Sequence, residues 1–269
     1  DNYRLHLLAS GLAVMTARIR LQFARAVFRS ATRHRLIGSN PFEDVTIKSS
    51  MPDKSYFVTP AEIATVIEAA PDHHWRLIIA LARWGGLRTP SETLSLRWQD
   101  IDWERSRINV QSPKTERFAN KGSRVIPLFP ELLPYLRDSF DAAEDGAVYV
   151  VNPRYRKGLQ RDRGWRDCNL RNMMLLILKR AGVKPWGRLF HNLRSSRQTE
   201  LANKHPAHVV CSWLGNTEAV ARQHYLQVTS EHFEAATKSA ESVVHPVVQS
   251  VSVLPCRDSS GVANSAEIA

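Results

Sequence analysis

Cysteine is scarce in this 269-residue sequence, which contains only Cys168, Cys211 and Cys256. Their odd number and scattered positions exclude a disulfide framework and the paired spacing of a zinc motif. No cluster of histidine with acidic residues replaces them, so the sequence predicts no metal site. We therefore interpret the cysteines as reduced thiols of a cytosolic protein.

Long apolar runs and glycine-rich loops are also missing. No stretch approaches the roughly 20 apolar residues of a membrane-spanning helix, so we expect no membrane partner. The chain opens at Asp1 instead of a methionine and shows no signal-peptide pattern, and we interpret it as a fragment. Because no glycine-rich phosphate loop is visible, we expect no nucleotide and no other cofactor.

Acidic residues are fewer than basic ones. The 26 Asp and Glu stand against 37 Lys and Arg, which gives a net charge of +11 and a pI near 9.9. Such a surplus favours a polyanionic partner, because basic side chains that neutralise phosphates release counterions. A basic soluble protein with no role in nucleic-acid binding is the alternative that charge alone leaves open. Hydrophobic residues make up 43%, enough for a buried core.

A short polar constellation carries the candidate chemistry. His191 and Arg194 are three residues apart, so on a helix they share one face and can converge on one anionic group. Tyr225 follows in a short polar segment, and a phenol beside an arginine and a histidine is a candidate covalent nucleophile. Alone, each of these motifs is weak evidence for a catalytic site, because a His-x-x-Arg pattern is usually a solvated helix face.

Four motifs in one order make the pattern specific. Residues 85–102 contain Gly-Leu-Arg followed by Glu, Leu, Leu, Trp and Asp-Ile, and they resemble the first catalytic box of the tyrosine recombinase (phage integrase) family. The motifs that follow in the family's order are His191-x-Leu193-Arg194, Leu214-Gly215 and Tyr225. Lys114 falls where the family keeps a hairpin lysine. The resemblance extends from about residue 16 to residue 236, and four ordered boxes are far more specific than one.

The resemblance implies a mechanism for these residues. Tyr225 would attack the phosphorus of a DNA phosphodiester to form a 3′-phosphotyrosyl link, and Lys114 would protonate the departing 5′-oxygen. His191 would accept or relay the tyrosine proton. Arg88 and Arg194 would hold the non-bridging oxygens, since an arginine stays charged and presents a bidentate fork. Such fixed cations stabilise the charged transition state, so no metal would be needed.

Three positions of the candidate site leave alternatives open. Glu92 lies four residues after Arg88, where the family's acidic residue lies three after, so it is either a capping-box carboxylate or a support that orients Arg88. Asn216 occupies a supporting position where most members have His or Trp, and an amide can donate a hydrogen bond but cannot titrate. Lys114 could instead contact the DNA backbone or be solvated, with Lys121 as the next candidate acid.

The predicted fold class is mainly α with a small antiparallel β-sheet (α+β), as expected of the catalytic fold of the family that the chain resembles. Residues 1–45 are predicted to be the end of a helical core-binding domain that contacts DNA, and residues 46–57 an exposed linker. Residues 58–240 would form the catalytic domain. Residues 241–269 are rich in Val and Ser without pattern, and we expect a mobile tail.

Hydrophobic periodicity predicts several helices. One should cover residues 15–35 and bury a face made of Ile19, Phe23, Val27 and Ala31. Further helices are predicted at 191–204, 206–213, 218–223 and 230–239. Tyr225 would then lie at or just beyond the third of these, and Phe233 on the fourth would face a neighbouring protomer, as the resemblance implies.

Turn and capping signals predict the elements around the first box. Residues 59–62 and 89–92 both read Thr-Pro-x-Glu, the pattern of a capped helix start, and the second helix should run to about Trp98. Alternation predicts a long hairpin of two strands at 108–111 and 124–128, with Lys114 near the end of its first strand. A further short strand is predicted at 148–151.

Two basic segments are candidate DNA-binding surfaces, the helix at 15–35 and the loop at 153–167. The candidate residues are Arg18, Arg25 and Arg29 in the first and Arg156, Lys157 and Arg161 in the second. The alternatives are that the helix packs on the main domain and that the loop is a solvated charge run.

Together these observations predict a site-specific DNA recombinase or integrase of bacterial or phage type, cytoplasmic and associated with the nucleoid. Its partner would be double-stranded DNA, and the resemblance implies a homo-oligomer that assembles as a tetrameric synapse on DNA. Two alternatives remain open: a non-catalytic DNA-binding relative with a weakened site, and a relaxase similar to type IB topoisomerases.

Overall fold

The computed structural model describes residues 2–47, 55–112, 122–156 and 168–241. The helices are α1 (Asn2–Ala9), α2 (Val14–Arg33), α3 (Pro60–Glu68), α4 (His73–Arg83), α5 (Leu133–Asp141), α6 (Arg171–Arg180), α7 (Leu189–Ala202), α8 (Ala207–Leu214), α9 (Glu218–His224) and α10 (Ser230–Glu241). The strands are β1 (Ile101–Asp102), β2 (Arg107–Gln111) and β3 (Ser123–Pro127). This architecture confirms the predicted fold class. Within the described ranges, none of the helices has both the length and the apolar character to cross a membrane.

Helices α4 and α7 pack against each other at the centre of the domain. Residues 77–83 of α4 are all buried, as expected of a helix surrounded by α3, α5 and α7. Helix α7 is different, because its buried stretch 192–199 is mostly polar. Buried polar groups need hydrogen-bond partners, so α7 binds its neighbours largely through side-chain hydrogen bonds. The central helix therefore brings polar side chains into the interior, where the candidate catalytic residues lie.

Helix α3 begins with the predicted capping box. Thr59 Oγ1 accepts a hydrogen bond from Glu62 N at 3.2 Å, and Glu62 Oε2 accepts one from Thr59 N at 3.0 Å. Pro60 occupies the first turn, where its missing N–H costs nothing. Just before the helix, Val58 N donates to Ser196 Oγ at 2.8 Å, which ties the start of α3 to α7.

The three strands form an antiparallel sheet in the order β1-β2-β3. Ile108 pairs with Ile126, and both are buried, which confirms the predicted hairpin and its alternation. Ser112 N donates to Gly122 O at 2.7 Å and closes the base of the hairpin. The segment between these two residues, which includes Lys114 and Lys121, lies outside the described residues.

The predicted helix from Thr89 to Trp98 is wrong. Residues 89–95 form consecutive turns, the Thr89–Pro90 peptide bond is cis, and only residues 98–100 form a short 3₁₀ turn. The N–H groups of Glu92 and Thr93 both donate to Arg88 O. Residues 91–94 are all buried, so tertiary contacts and not an amphipathic face determine this backbone. The Thr-Pro-x-Glu signal that correctly marked α3 fails here because the Glu92 carboxylate is drawn into the protein interior.

The predicted strand at 148–151 is also wrong. This stretch forms a single antiparallel bridge, between Arg97 and Tyr149. Two backbone hydrogen bonds flank the bridge, from Trp98 N to Val148 O and from Val150 N to Leu96 O. The segment therefore lies beside residues 96–98 of the first box without extending the sheet.

The N-terminal helices have a small core of their own, made of Leu7, Ala17, Leu21 and Ile47. Helix α2 lies where a helix was predicted, but its expected inner face is wrong, because Ile19, Phe23 and Val27 are exposed. Helix α1, which the sequence analysis missed, and the segment ending at Ile47 cover a different face of α2. Periodicity located the helix but could not tell which of its apolar rows would be covered.

The four C-terminal helices α7 to α10 agree with the predicted ranges to within two residues at either end. Gly215 ends α8 with φ +65°, a left-handed conformation that glycine adopts without a side-chain penalty. Tyr225 directly follows α9, as predicted.

Candidate active site

Helix α7 positions His191 and Arg194 one turn apart. The Arg194 side chain is only 3% exposed, and its guanidinium donates hydrogen bonds to Gly86 O and Leu214 O. Gly86 has φ +63°, and a Cβ there would lie 2.6 Å from the Leu214 side chain, so the close approach of these segments requires glycine. Burial lowers the pKa of Arg194 to about 10, which leaves the guanidinium charged at neutral pH.

Arg88, from the first box, is held by two anchors. Its guanidinium donates to Glu92 Oε1 at 2.7 Å and to Gly215 O at 2.7 Å. The Arg88 backbone N–H also donates to Glu92 Oε2 at 2.8 Å. With 18% of its side chain exposed, Arg88 is more accessible than Arg194. The box and the turn after α8 therefore meet at this guanidinium.

Glu92 is an acidic side chain that lies among three arginines. Its carboxylate is 1% exposed and accepts hydrogen bonds from Arg88, Arg124 and Ser112, while Arg194 lies 3.8 Å away. Burial alone would raise the pKa of this carboxyl, but hydrogen bonds and charge from Arg124, then the charges of Arg194 and Arg88, lower it to about 2. We call Glu92, Arg88, Arg124 and Arg194 the Glu92 cluster. Of the two roles left open, the contacts are those of a carboxylate that orients Arg88.

Arg124 is the member of this cluster that the sequence analysis missed. It lies in β3 and donates to both carboxylate oxygens of Glu92, at 2.7 and 2.8 Å. It also donates to Ser112 Oγ at 2.6 Å and to Trp213 O at 2.6 Å. One signal could have identified it: in a strand, Arg124 shares a face with the buried Ile126 two residues on, and a charge on an inner face needs a partner.

Tyr225 lies against both candidate residues of α7. Its ring centroid is 4.8 Å from that of His191 and 5.5 Å from the Arg194 guanidinium carbon. The Tyr225 backbone oxygen accepts a hydrogen bond from Ser195 Oγ at 2.5 Å, which fixes the end of α9 on α7. The structure thus brings together Tyr225, His191, Arg194 and Arg88, four of the five predicted catalytic residues.

The surroundings of His191 favour the neutral form of its imidazole. Burial lowers the pKa of its imidazole, the hydrogen bond with the His224 carbonyl opposes that effect, and the charges of Arg188 and Arg194 lower the pKa further. His191 Nε2 lies 3.2 Å from His224 O, a geometry in which Nε2–H donates. The other ring nitrogen is then the basic one, so this histidine can accept a proton.

Asn216 is paired with a residue that the sequence analysis did not consider. Its Nδ2 donates to Gln198 Oε1 at 2.9 Å, and Gln198 Nε2 lies 3.4 Å from Asn216 Oδ1. Gln198 is buried in α7, one turn after Arg194. The amide that replaces the family's usual His or Trp is thereby fixed on the same helix as Arg194.

The predicted DNA-binding residues have different environments. Arg18 is exposed, Arg29 is exposed and paired with Glu43 at 3.0 Å, and Arg25 is half-buried with its guanidinium donating to the carbonyls of Phe42 and Val45. Arg156 ends a short 3₁₀ turn at Pro153–Arg156. Lys114, Lys157 and Arg161 lie outside the described residues, and their roles stay predictions.

In the described ranges, no three His, Cys, Asp or Glu side chains converge in a way that could hold a metal ion. Instead, the described site offers cationic guanidinium groups, a neutral imidazole and a phenol. Chemically, this set can bind an anion such as a phosphate, remove a proton from the phenol and form a covalent bond to phosphorus.

Comparisons with known proteins show the family of this chain. The model of the phage integrase family matches residues 57–232. The tyrosine recombinase XerA of Thermococcus onnurineus is 27% identical over 190 residues, which are 69% of this chain and 63% of that protein. This chain therefore spans less than two thirds of that relative.

Two solved structures share the fold. The Tn1549 transposon integrase in complex with transposon right end DNA gives a TM-score of 0.65 at 19% identity, covering 89% of this chain and 84% of that chain. A lambda integrase tetramer bound to a Holliday junction gives a TM-score of 0.61 at 18% identity, covering 83% of this chain and 62% of that chain.

Proposed function

The chain belongs to the phage integrase family of tyrosine recombinases, and from this membership we propose that it cleaves and rejoins DNA through a covalent bond between Tyr225 and a 3′-phosphate. The observation that supports this proposal is the contact of the Tyr225 ring with His191 and Arg194, beside the Glu92 cluster. A nucleophile, a proton acceptor and anion-binding groups are thus adjacent.

Charge is the first argument for phosphate binding. The Glu92 cluster holds three guanidinium groups and one carboxylate, so two positive charges have no counter-charge within it. Arg88 is the most exposed of the three, and only two of the five N–H donors of its guanidinium bond described residues. A phosphodiester that approaches Arg88 would meet free donors and a positive field that needs no rearrangement.

The proposed reaction follows from these positions. Tyr225 Oη attacks the phosphorus, His191 takes the phenolic proton, and the bond from phosphorus to the 5′-oxygen breaks. Lys114 then protonates the departing 5′-oxygen. Because the phosphotyrosyl bond conserves the phosphodiester energy, rejoining reverses these steps without nucleotide hydrolysis, and the arginines supply the charge that a metal ion provides elsewhere.

The partners we propose are double-stranded DNA and further copies of the same chain. The lambda integrase neighbour is described as a tetramer on a Holliday junction, and by analogy we propose a tetrameric synapse in the cytoplasm of a bacterium. Phe233 on α10 is 67% exposed and is our candidate contact with a neighbouring copy.

For the domain organisation, we propose the division that the sequence predicts: a core-binding end at 1–45, a linker at 46–57, a catalytic domain at 58–240 and a tail at 241–269.

The decisive experiment is trapping on a nicked suicide DNA substrate, which lets the cut strand diffuse away. The protein should form a covalent complex that survives denaturation, and Tyr225→Phe should form none while keeping nearly the same DNA affinity, because the phenolic oxygen is only a minor binding group. A stable complex with Tyr225→Phe would reject the nucleophile. DNA binding without any complex would indicate a non-catalytic relative, and relaxation without two-site recombination would indicate a relaxase.

Lys114 can be tested by changing the leaving group. A 5′-bridging phosphorothiolate departs as a thiolate and needs no proton, so the requirement for a general acid disappears. Lys114→Ala should therefore be slow on ordinary DNA and largely restored on the sulfur substrate. Arg88→Ala, the matched control, should stay slow on both. Equal slowness of Lys114→Ala on the two substrates would assign the acid to another group, with Lys121 next in line.

A further inference from the structure

Arg124 is buried at the junction of three parts of the site. Its side chain is 7% exposed, and it bonds the Glu92 carboxylate, the Ser112 hydroxyl at the end of β2 and the Trp213 carbonyl near the end of α8. These hydrogen bonds occupy four of the five donors of the guanidinium. Arg88, by comparison, is 18% exposed, and two of its five donors bond residues that the structure describes. Arg124 is thus saturated by protein groups, whereas Arg88 has donors left for a substrate.

Arg124 bonds the first anchor of Arg88 and packs beside the residue that carries the second. The first anchor is the Glu92 carboxylate, which Arg124 holds from the other side through two hydrogen bonds. The second is the Gly215 carbonyl, and a Cβ at Gly215 would lie 3.0 Å from Arg124 Cδ, which shows how closely the arginine packs on that turn. Arg124 also bonds Trp213 O, two residues earlier. A displaced Arg124 would therefore leave the Glu92 carboxylate with fewer hydrogen bonds and the turn at Gly215 without this packing.

Arg124 also connects this site to the base of the hairpin. It lies two residues after Gly122, whose carbonyl accepts the Ser112 N–H at 2.7 Å, and Ser112 Oγ donates to Glu92 at 3.1 Å. The segment that carries Lys114 begins directly after Ser112. The guanidinium therefore holds the hairpin stem and the first box against the same carboxylate.

We propose that Arg124 is a positioning residue, which fixes Glu92 and the turn at Gly215 so that Arg88 presents its free donors to the phosphate. This inference rests on the proposed function for the identity of the ligand, but the arrangement itself rests on the contacts of Arg124. It predicts that Arg124 affects the chemical step through Arg88 and contributes little to DNA affinity, since its own donors are already occupied.

A double-mutant cycle tests the dependence on Arg88. Arg124→Lys keeps the charge but loses the bidentate fork, and it should slow single-turnover cleavage by roughly tenfold to a hundredfold, the usual cost of losing a group that orients a functional side chain. DNA affinity should stay within about twofold. In an Arg88→Lys background the same change should cost much less, because the side chain to be positioned is gone. Arg107→Lys, on the exposed face of the same sheet, is the matched control and should have no effect.

The positioning role would be rejected if the fold losses of cleavage rate caused by Arg124→Lys and Arg88→Lys multiplied in the double variant. It would also be rejected if Arg124→Lys reduced DNA affinity as much as it reduced the cleavage rate. If Arg124→Lys does not fold, judged by its thermal unfolding, Ser112→Ala replaces it. That change removes one partner of Arg124 and leaves every charge in place. It should slow cleavage only a few-fold, again with unchanged DNA affinity and with a smaller loss in the Arg88→Lys background. Additive behaviour of Ser112→Ala with Arg88→Lys would reject the proposal equally.

A second readout does not depend on catalysis. The Nε–H signal of Arg88 in an NMR spectrum of the DNA-free protein, assigned by its loss in Arg88→Lys, should be sharp in the unaltered chain. It should broaden or exchange faster with solvent in Arg124→Lys. An unchanged signal would reject the positioning role even if the enzyme is active. Conversely, a chain that forms no covalent complex but shows this broadening would refute the proposed function and retain the role of Arg124.

Discussion

Helix α7 contributes a buried arginine to each of two ionic clusters, and the two clusters differ in charge balance. Arg194 belongs to the Glu92 cluster, with three arginines for one carboxylate. Three residues later, Arg197 belongs to what we call the Glu200 cluster. Its members are Arg83, Arg197, Glu131 and Glu200, two cations and two anions. The guanidinium groups of the second cluster also lie 4.4 Å from the rings of Trp84 and Phe129.

The comparison indicates which cluster is built for a ligand. Burying charges without counter-charges is costly, so a cluster that serves only stability is expected to be balanced, as the Glu200 cluster is. Counting described residues only, the Glu92 cluster has two more positive charges than negative ones, and a tyrosine ring lies beside it. An anionic substrate would supply the missing charge, and this is why unbalanced buried groups mark functional sites.

Removing a cation from the unbalanced cluster should have the largest effect. Arg88→Ala or Arg194→Ala should slow single-turnover cleavage by about a hundredfold or more, the scale of losing one preorganised donor to the transition-state charge. Arg88→Ala should change the midpoint of urea unfolding little, because the cluster loses repulsion as well as attraction. Cleavage at the unaltered rate in either variant would exclude that residue from the phosphate site.

Removing a cation from the balanced Glu200 cluster should lower stability and change the cleavage rate little. Arg197→Met leaves Glu131 and Glu200 without a shared partner, and we expect a loss of about 1–2 kcal/mol in the free energy of unfolding, less than for a fully buried pair because 41% of the Glu131 side chain is exposed. Cleavage by the folded variant should stay within a few-fold. Urea unfolding and single-turnover kinetics on one preparation separate the effects. A hundredfold slower but fully stable Arg197→Met protein would overturn the distinction between the clusters.

Acid should affect the Glu92 cluster only at low pH. Because the Glu92 pKa is lowered from 4.5 to about 2, its ionised form contributes stability above about pH 4.5, and this contribution is lost as the pH falls toward about 2. The difference in free energy of unfolding between the unaltered protein and Glu92→Gln should be constant from about pH 7 to about pH 5 and shrink below that. A difference that shrinks near neutral pH would mean that Glu92 is not held ionised by the arginines.

The smallest effects are expected for two arginines of α2, one exposed to solvent and one hydrogen-bonded to the protein backbone. Arg18 is exposed, and Arg18→Ala should weaken DNA binding a few-fold and reduce the slope of log affinity against log salt by about one. Arg25 donates to two backbone carbonyls, so Arg25→Ala should lower the thermal stability of the N-terminal helices. If Arg25→Ala proved to have the larger salt-dependent effect, the engaged guanidinium would also contact DNA.

The parts of this structure that local signals determine could be predicted from the sequence. The capping box at Thr59, the hairpin alternation and the helices around His191 and Tyr225 agree with the structure, because short-range hydrogen bonds and periodicity fix them. The order of the motifs also allowed the four described catalytic candidates to be predicted as parts of one site. These features need only neighbouring residues or a family pattern to be recognised.

Long-range pairing could not be predicted in the same way. Arg124 pairs with Glu92 across 32 residues and Gln198 pairs with Asn216 across 18, and no periodicity indicates such pairs. The turn at 89–95 was mistaken for a helix because its capping signal is local while Glu92 bonds distant arginines. The buried face of α2 depends on α1 and on the segment ending at Ile47, which cover Leu21 and leave Phe23 exposed.

Locating the covalent bond is the clearest test that the unbalanced cluster serves a DNA-cleaving tyrosine. The complex trapped on a suicide substrate would be digested with protease and nuclease, and the modified peptide identified by mass spectrometry. The account predicts a nucleotide attached through its 3′-phosphate to Tyr225, in the unaltered chain and, more slowly formed, in Arg124→Lys. Attachment to another residue, or a trapped complex whose Tyr225 peptide is unmodified, would contradict it.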